Sequence, residues 1–136
     1  MRMMLLALFP IAVADAAAQT PERFDLICTG TTTHLNKQTT PFSVRFSIDL
    51  AGQRYCAPKC DAPRTIALVE PDKITLRNDG PVGGSLSTRY DGWKTVIGRA
   101  DGAFEQRFTM AAAKVSDTTS GTCTPAEFTP LPSTMF

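Results

Sequence analysis

The chain is expected to be all-β: one small antiparallel barrel or sandwich of about seven to eight short strands, held by disulfides. Three observations predict this. In "FSVRFSIDL" (42–50), Phe42, Val44, Phe46, Ile48 and Leu50 alternate without a break against Ser43, Arg45, Ser47 and Asp49, the period of a half-buried strand. Turn-forming clusters recur along the chain at the spacing of a small barrel or sandwich. The 4 cysteines are an even number, and they follow what reads as an export leader, so they suit disulfide formation in an oxidising compartment.

The leader is "MRMMLLALFPIAVADAAAQT". Arg2 supplies the positive start, an apolar run extends to about Ala14, and the small residues Ala14, Ala16 and Ala18 follow. This is the layout of a signal peptide, here residues 1–18, with cleavage after Ala16 or Ala18; the apolar run is too short to span a bilayer. The mature product is then residues 19–136, a single β domain with a proline-rich C-terminal tail, periplasmic or secreted, with no transmembrane segment. Cleavage removes one basic and one acidic residue, Arg2 and Asp15, so the net charge stays at +1. Such a surface lacks the basic footprint of a nucleic-acid binder.

The strands follow in order. "RFDLIC" puts Phe24, Leu26 and Cys28 on one face. "FSVRFSIDL" comes next, and its polar alternation predicts a second face in water. "RTIALVEPDKITL" reads as a hairpin with Ile66 and Leu68 on one arm and Ile74 and Leu76 on the other; Pro71 in "EPDK" has the φ that a type I turn requires. "RNDGPVGGS" is a loop by composition. "SLSTRYDGWKTVIGR" is expected to hold one or two strands around a turn at Asp91-Gly92, and "ADG" (100–102) to turn into "AFEQRFTM". On a regular strand Phe104, Gln106 and Phe108 share a face, although the alanines of "FTMAAAKV" would also suit a helix.

Four cysteines allow three pairings. The pairing expected is Cys56 with Cys60 and Cys28 with Cys123, because "APK" between the first two carries a proline that can bend the chain. The second bridge would tie the first strand to the last. Haem attachment needs a histidine directly after a Cys-x-x-Cys pair, whereas Asp61 follows Cys60 here at a longer spacing. A redox dithiol needs Cys-x-x-Cys, and a zinc knuckle needs two short-spaced pairs. No metal and no cofactor are expected.

Catalysis is poorly supplied. The single histidine, His34, sits in the polar stretch "TTTHLN"; "GGSLS" lacks the last glycine of a nucleophile elbow. Asp79, Asp91 and Asp101 each precede a glycine, which turn chemistry explains. A hydrolase using His34, or scattered carboxylates that folding brings together, is the rival class.

The stretch with the most recognition character is "TRYDGW", where Arg89, Tyr90 and the one tryptophan, Trp93, flank a turn. These residue types are enriched at binding hot spots, but the plainer reading makes Tyr90 and Trp93 core residues at a barrel end, with Arg89 on the outer face. "FDLICTG", "IDL", "ITL", the "R-x-D-G" turn and "GTCTPAEF" together resemble a group of small exported β-proteins of Gram-negative bacteria, which implies a periplasmic location. More faintly, the cysteine-bearing first strand, "STRY", Trp93 and the late cysteine are similar to the periplasmic inhibitors of C-type lysozyme. That family's loop glycine before Arg-Tyr is missing here, and the "CAPKC" clip is foreign to it. This second resemblance implies a small β-barrel and points to Ser87, Arg89 and Tyr90 as positions to test. The expected function is an exported binding module for a small ligand, envelope component or protein partner, with inhibition of a lysozyme as a sharper alternative.

Overall fold

The structure, a computed structural model, describes residues 21–58, 60–80, 92–110 and 114–132. The expected leader and Ser87, Arg89 and Tyr90 lie outside the described residues. Nine strands form: β1 (Arg23–Thr33), β2 (Thr39–Asp49), β3 (Arg54–Cys56), β4 (Arg64–Thr65), β5 (Leu68–Val69), β6 (Lys73–Asp79), β7 (Gly92–Gly98), β8 (Ala103–Met110) and β9 (Val115–Ala126). They make one antiparallel sheet in the order β4-β3-β2-β1-β9-β8-β7-β6-β5, curled into a half-barrel. The described residues contain no helix, so the segment left open between strand and helix is strand up to Met110 and again from Val115.

The count is nine rather than seven to eight because the first arm of the expected hairpin is broken in two. Its N-terminal half pairs with β3 and its C-terminal half with β6. Between them, Ile66 donates its N–H to the Gln53 carbonyl at 2.9 Å and Ala67 to the Leu76 carbonyl at 3.3 Å. One short run therefore serves both edges of the sheet, leaving little unpaired backbone to recruit another strand. The kink also separates Ile66, which is buried, from Leu68 of the same expected arm, which is 53% exposed.

The core is the concave face. Leu26, Cys28, Phe46, Ile48, Tyr55, Ile66, Ile74, Leu76, Ile97, Phe104 and Cys123 form one buried cluster drawn from most of the strands. Both expected disulfides are present, Cys28 with Cys123 and Cys56 with Cys60. Cys28 and Cys123 face each other across β1 and β9 with their Cα atoms 3.9 Å apart, so the first strand is clamped to the last inside the core.

One row farther along, Phe42, Gly30, Gly121 and Phe104 are successive register partners across β2, β1, β9 and β8. The two glycines leave a side-chain gap that the phenyl rings fill by stacking over it, with centroids 5.3 Å apart and planes 13° apart. A Cβ on either glycine would run into the backbone of the opposite strand. Gly121→Ala is therefore expected to cost about 3 kcal/mol through overpacking. Urea denaturation should show a clear loss of stability, and an unchanged midpoint would mean that the two strands are not this close.

The outer face departs from the sequence reading. The polar side of β2 was expected in water, but Ser47 and Asp49 are buried, as is Asp25 beside them on β1. The cause is the C-terminal tail, which crosses the outside of β1 and β2. Thr129 donates its N–H to Asp25 Oδ1 at 3.0 Å, and Arg45 Nη2 donates to the Glu127 carbonyl at 2.7 Å. Arg45 Nε also donates to Asp25 Oδ2 at 2.6 Å. Asp49 is enclosed by the β2–β3 turn, accepting from Gly52 N–H at 2.9 Å and from Arg54 Nε at 3.3 Å, with Arg23 at 3.5 Å.

Candidate functional site

Beyond the phenylalanine–glycine row, the concave face turns polar. Thr40, Thr32, Thr119, Gln106, Thr95 and Arg77 are consecutive register partners from β2 to β6. Thr119 and Thr95 are buried in this row at 2% and 3% exposure, and the Thr32 and Thr119 hydroxyls share a 2.7 Å hydrogen bond. Gln106, Thr95 and Arg77, the β8–β6 end of the row, form the rim of a cavity of about 550 Å³ at one end of the half-barrel. Its floor and walls are Phe42, Val44, Phe46, Tyr55 and Leu76, with Trp93, Thr95, Gln106 and Arg77 on the β6–β8 side.

Arg77 reaches this cavity because β6 carries an irregularity. Thr75 pairs with Val96 and Arg77 with Thr95, leaving Leu76 as an extra residue. Such a bulge re-aims the side chains that follow it. Here Leu76 and Arg77 both line the cavity although they are neighbours in sequence. Strict alternation would send one of them outward, and the composition of "RNDGPVGGS" had placed Arg77 in a loop. No signal in the sequence marks the bulge.

Trp93, the one described residue among the candidates Ser87, Arg89, Tyr90 and Trp93, stands at the start of β7, half-buried. Arg77 lies over its ring at 4.3 Å from the centroid, and Phe108 packs against it at 5.1 Å with planes tilted by 59°. Arg77 Nε is also paired with Asp79, whose carboxylate is largely exposed. A guanidinium stacked on tryptophan and tied at Nε has a fixed plane and a fixed direction for its remaining donors.

The Cys56–Cys60 clip forms the opposite wall. Ala57, Pro58, Cys60 and Asp61 line the cavity together with Arg64. Cys56, Ala57, Pro58 and Cys60 also line a second cleft together with the tail residues Thr129–Pro132. The clip thus fixes the loop between the cavity mouth and the tail. Removing it by Cys56→Ala with Cys60→Ala is expected to cost about 2 kcal/mol, the entropy of so short a loop. Chemical denaturation measures this, and a loss as large as that from cutting the long bridge would contradict the local role.

The rival chemistry is not assembled at the cavity. His34 Nδ1 donates to Asp117 Oδ1 at 2.8 Å, and Nε2 lies 3.0 Å from Thr40 Oγ1, so the ring ties the β1–β2 hairpin to β9. None of the three residues lines the cavity. Of the described carboxylates, only Asp61 lines it. The buried ones, Asp25 and Asp49, are on the outer face and both are held ionised. Burial alone would raise the Asp25 pKa, but hydrogen bonds from the Thr129 backbone, Arg45, the Thr129 hydroxyl and Ser47 outweigh it and bring it below the ordinary value. The Gly52 N–H chiefly, then Arg54 and Arg23, do the same for Asp49 against its own burial. A general acid requires the opposite shift. Among the described residues no group of three or more His, Cys, Asp or Glu side chains is placed to hold a metal ion.

A smaller cavity of about 320 Å³ lies at the other end, lined by Phe24, Leu26, Ile74, Ile97 and Arg99 among others. Comparison with protein-family models, curated proteins and solved structures finds no match.

Proposed function

We propose that the chain is an exported binding module that takes a small ligand into the mouth cavity between Trp93 and the Cys56–Cys60 clip. The observation that carries this reading is the cavity itself. Its volume of about 550 Å³ suits a small-molecule site, and its make-up, apolar and aromatic walls with a few convergent polar groups, is that of such sites. The core below it is filled by side chains, so a ligand would rest on the phenylalanine–glycine row. Export is supported by the leader pattern, and the two disulfides suit an oxidising compartment.

The protein carries its own reporter, since it has 1 tryptophan and that residue lines the cavity. Residues 19–136 are titrated with a chemically diverse small-molecule set while Trp93 emission and Tm are followed. A ligand is expected to shift the emission and, at about a hundredfold excess over Kd, to stabilise the fold by about 2.7 kcal/mol. Ala57→Phe, which fills the mouth from the clip side, is expected to abolish both effects. No response from any compound, or undiminished binding by the filled variant, would refute the reading.

A further inference from the structure

We infer that the mouth cavity selects a carboxylate attached to a flat apolar body; the inference rests on the mouth being the ligand site. It follows from the direction of the hydrogen bonds around the rim. The Trp93 indole N–H can only donate, and it donates to Thr95 Oγ1 at 3.2 Å. The single hydroxyl proton of Thr95 is then given to Gln106 Oε1, 3.3 Å away. This fixes the Gln106 amide with its oxygen turned to Thr95 inside the rim and its two N–H groups directed elsewhere.

Arg77 adds to the same polarity. Its Nε is committed to Asp79 and its plane is held against Trp93, which leaves the Nη groups as donors at the cavity. Across the mouth stands Arg64, which is in none of the ion pairs among the described residues. Asp61 is the one carboxylate in the lining among the described residues. Among the described lining residues, two guanidinium groups and an amide face one carboxylate; with the Arg77 charge set against Asp79, what distinguishes the site is its excess of hydrogen-bond donors. Its complement is an anionic acceptor, and the planar fork of arginine matches a carboxylate. Phe42, Tyr55 and Leu76 supply the apolar seat for the rest of the molecule.

The test compares three probes with the same body and different heads: 3-phenylpropionate, 3-phenylpropionamide and 3-phenylpropylamine. Each is titrated into ¹⁵N-labelled residues 19–136 while the Trp93 indole resonance is followed. The carboxylate is expected to bind about tenfold more tightly than the amide, the amine is expected to leave the resonance unmoved, and Arg77→Gln should narrow the gap between acid and amide by weakening the acid. Arg64→Gln is a second variant away from the Trp93 stack, expected to weaken the acid alone, and the dispersion of the amide spectrum verifies that each variant is folded. Equal or tighter binding of the amide or the amine would overturn the carboxylate inference and leave the mouth reading intact. If none of the three moves Trp93, both fall.

Discussion

Replacing Cys28 and Cys123 together by alanine is expected to lower stability by about 4–5 kcal/mol and the melting temperature by roughly 15–20 °C. The bridge closes a loop with a sequence separation of 95, so cutting it releases far more unfolded-state entropy than cutting the clip, whose separation is 4. It also lies in the core, within the ladder that joins the first and last strands. The two sulfurs are buried, so their removal leaves a gap between Leu26 and the phenylalanine–glycine row that adds to the loss. Differential scanning calorimetry of the two double variants should rank them in that order. Equal losses would mean that the long bridge does not constrain the unfolded chain as a covalent tie of this length should.

The second large effect is expected from Asp25→Asn, a loss of about 3 kcal/mol at neutral pH. The carboxylate is fully buried and joins the tail, β1 and β2 through Thr129 and Arg45. Removing its charge leaves the Arg45 guanidinium without its counter-ion against a buried surface. The sign of the pH dependence follows from its lowered pKa. A carboxylate whose folded-state pKa lies below its unfolded value of 3.8 contributes stability that is complete above that value. The contribution is lost as the pH falls toward the folded-state pKa. Wild type and variant should therefore differ most at pH 5–7 and converge as the pH falls below 3.8 toward the lowered folded-state value, as the native side chain takes up its own proton. Urea midpoints across that range measure this, and curves that stay parallel would show that the ion pair is not the source of the difference.

The parts of the fold that were legible in the sequence are those where the physics is local. The alternation in "FSVRFSIDL" gave β2 because each apolar residue faces the core. The Pro71 turn was readable because Glu70 and Lys73 close it by a 2.9 Å backbone bond. The disulfide pairing followed from a proline between two close cysteines. What was hidden depends on partners distant in the chain. β9 looked featureless because Asp117, Thr119 and Gly121 share the inward face with Cys123, and only the register with β1 and β8 explains polar and side-chain-free residues there. Asp25 and Asp49 looked like ordinary solvent-facing positions until the tail and three arginines covered them. Trp93 was singled out by residue type, but its partners Arg77, Thr95 and Gln106 come from three different strands, and the bulge at Leu76 that delivers Arg77 has no signature in composition or spacing.

The central claim is that the ligand site is the Trp93 end of the half-barrel, and intermolecular nuclear Overhauser contacts from bound 3-phenylpropionate test it most directly. The account predicts contacts from the ring protons to the methyl groups of Val44 and Leu76 and to the Trp93 indole. Contacts to Ile74 and Ile97, which line the cavity at the opposite end, or to the exposed Leu35 and Leu68, would contradict it.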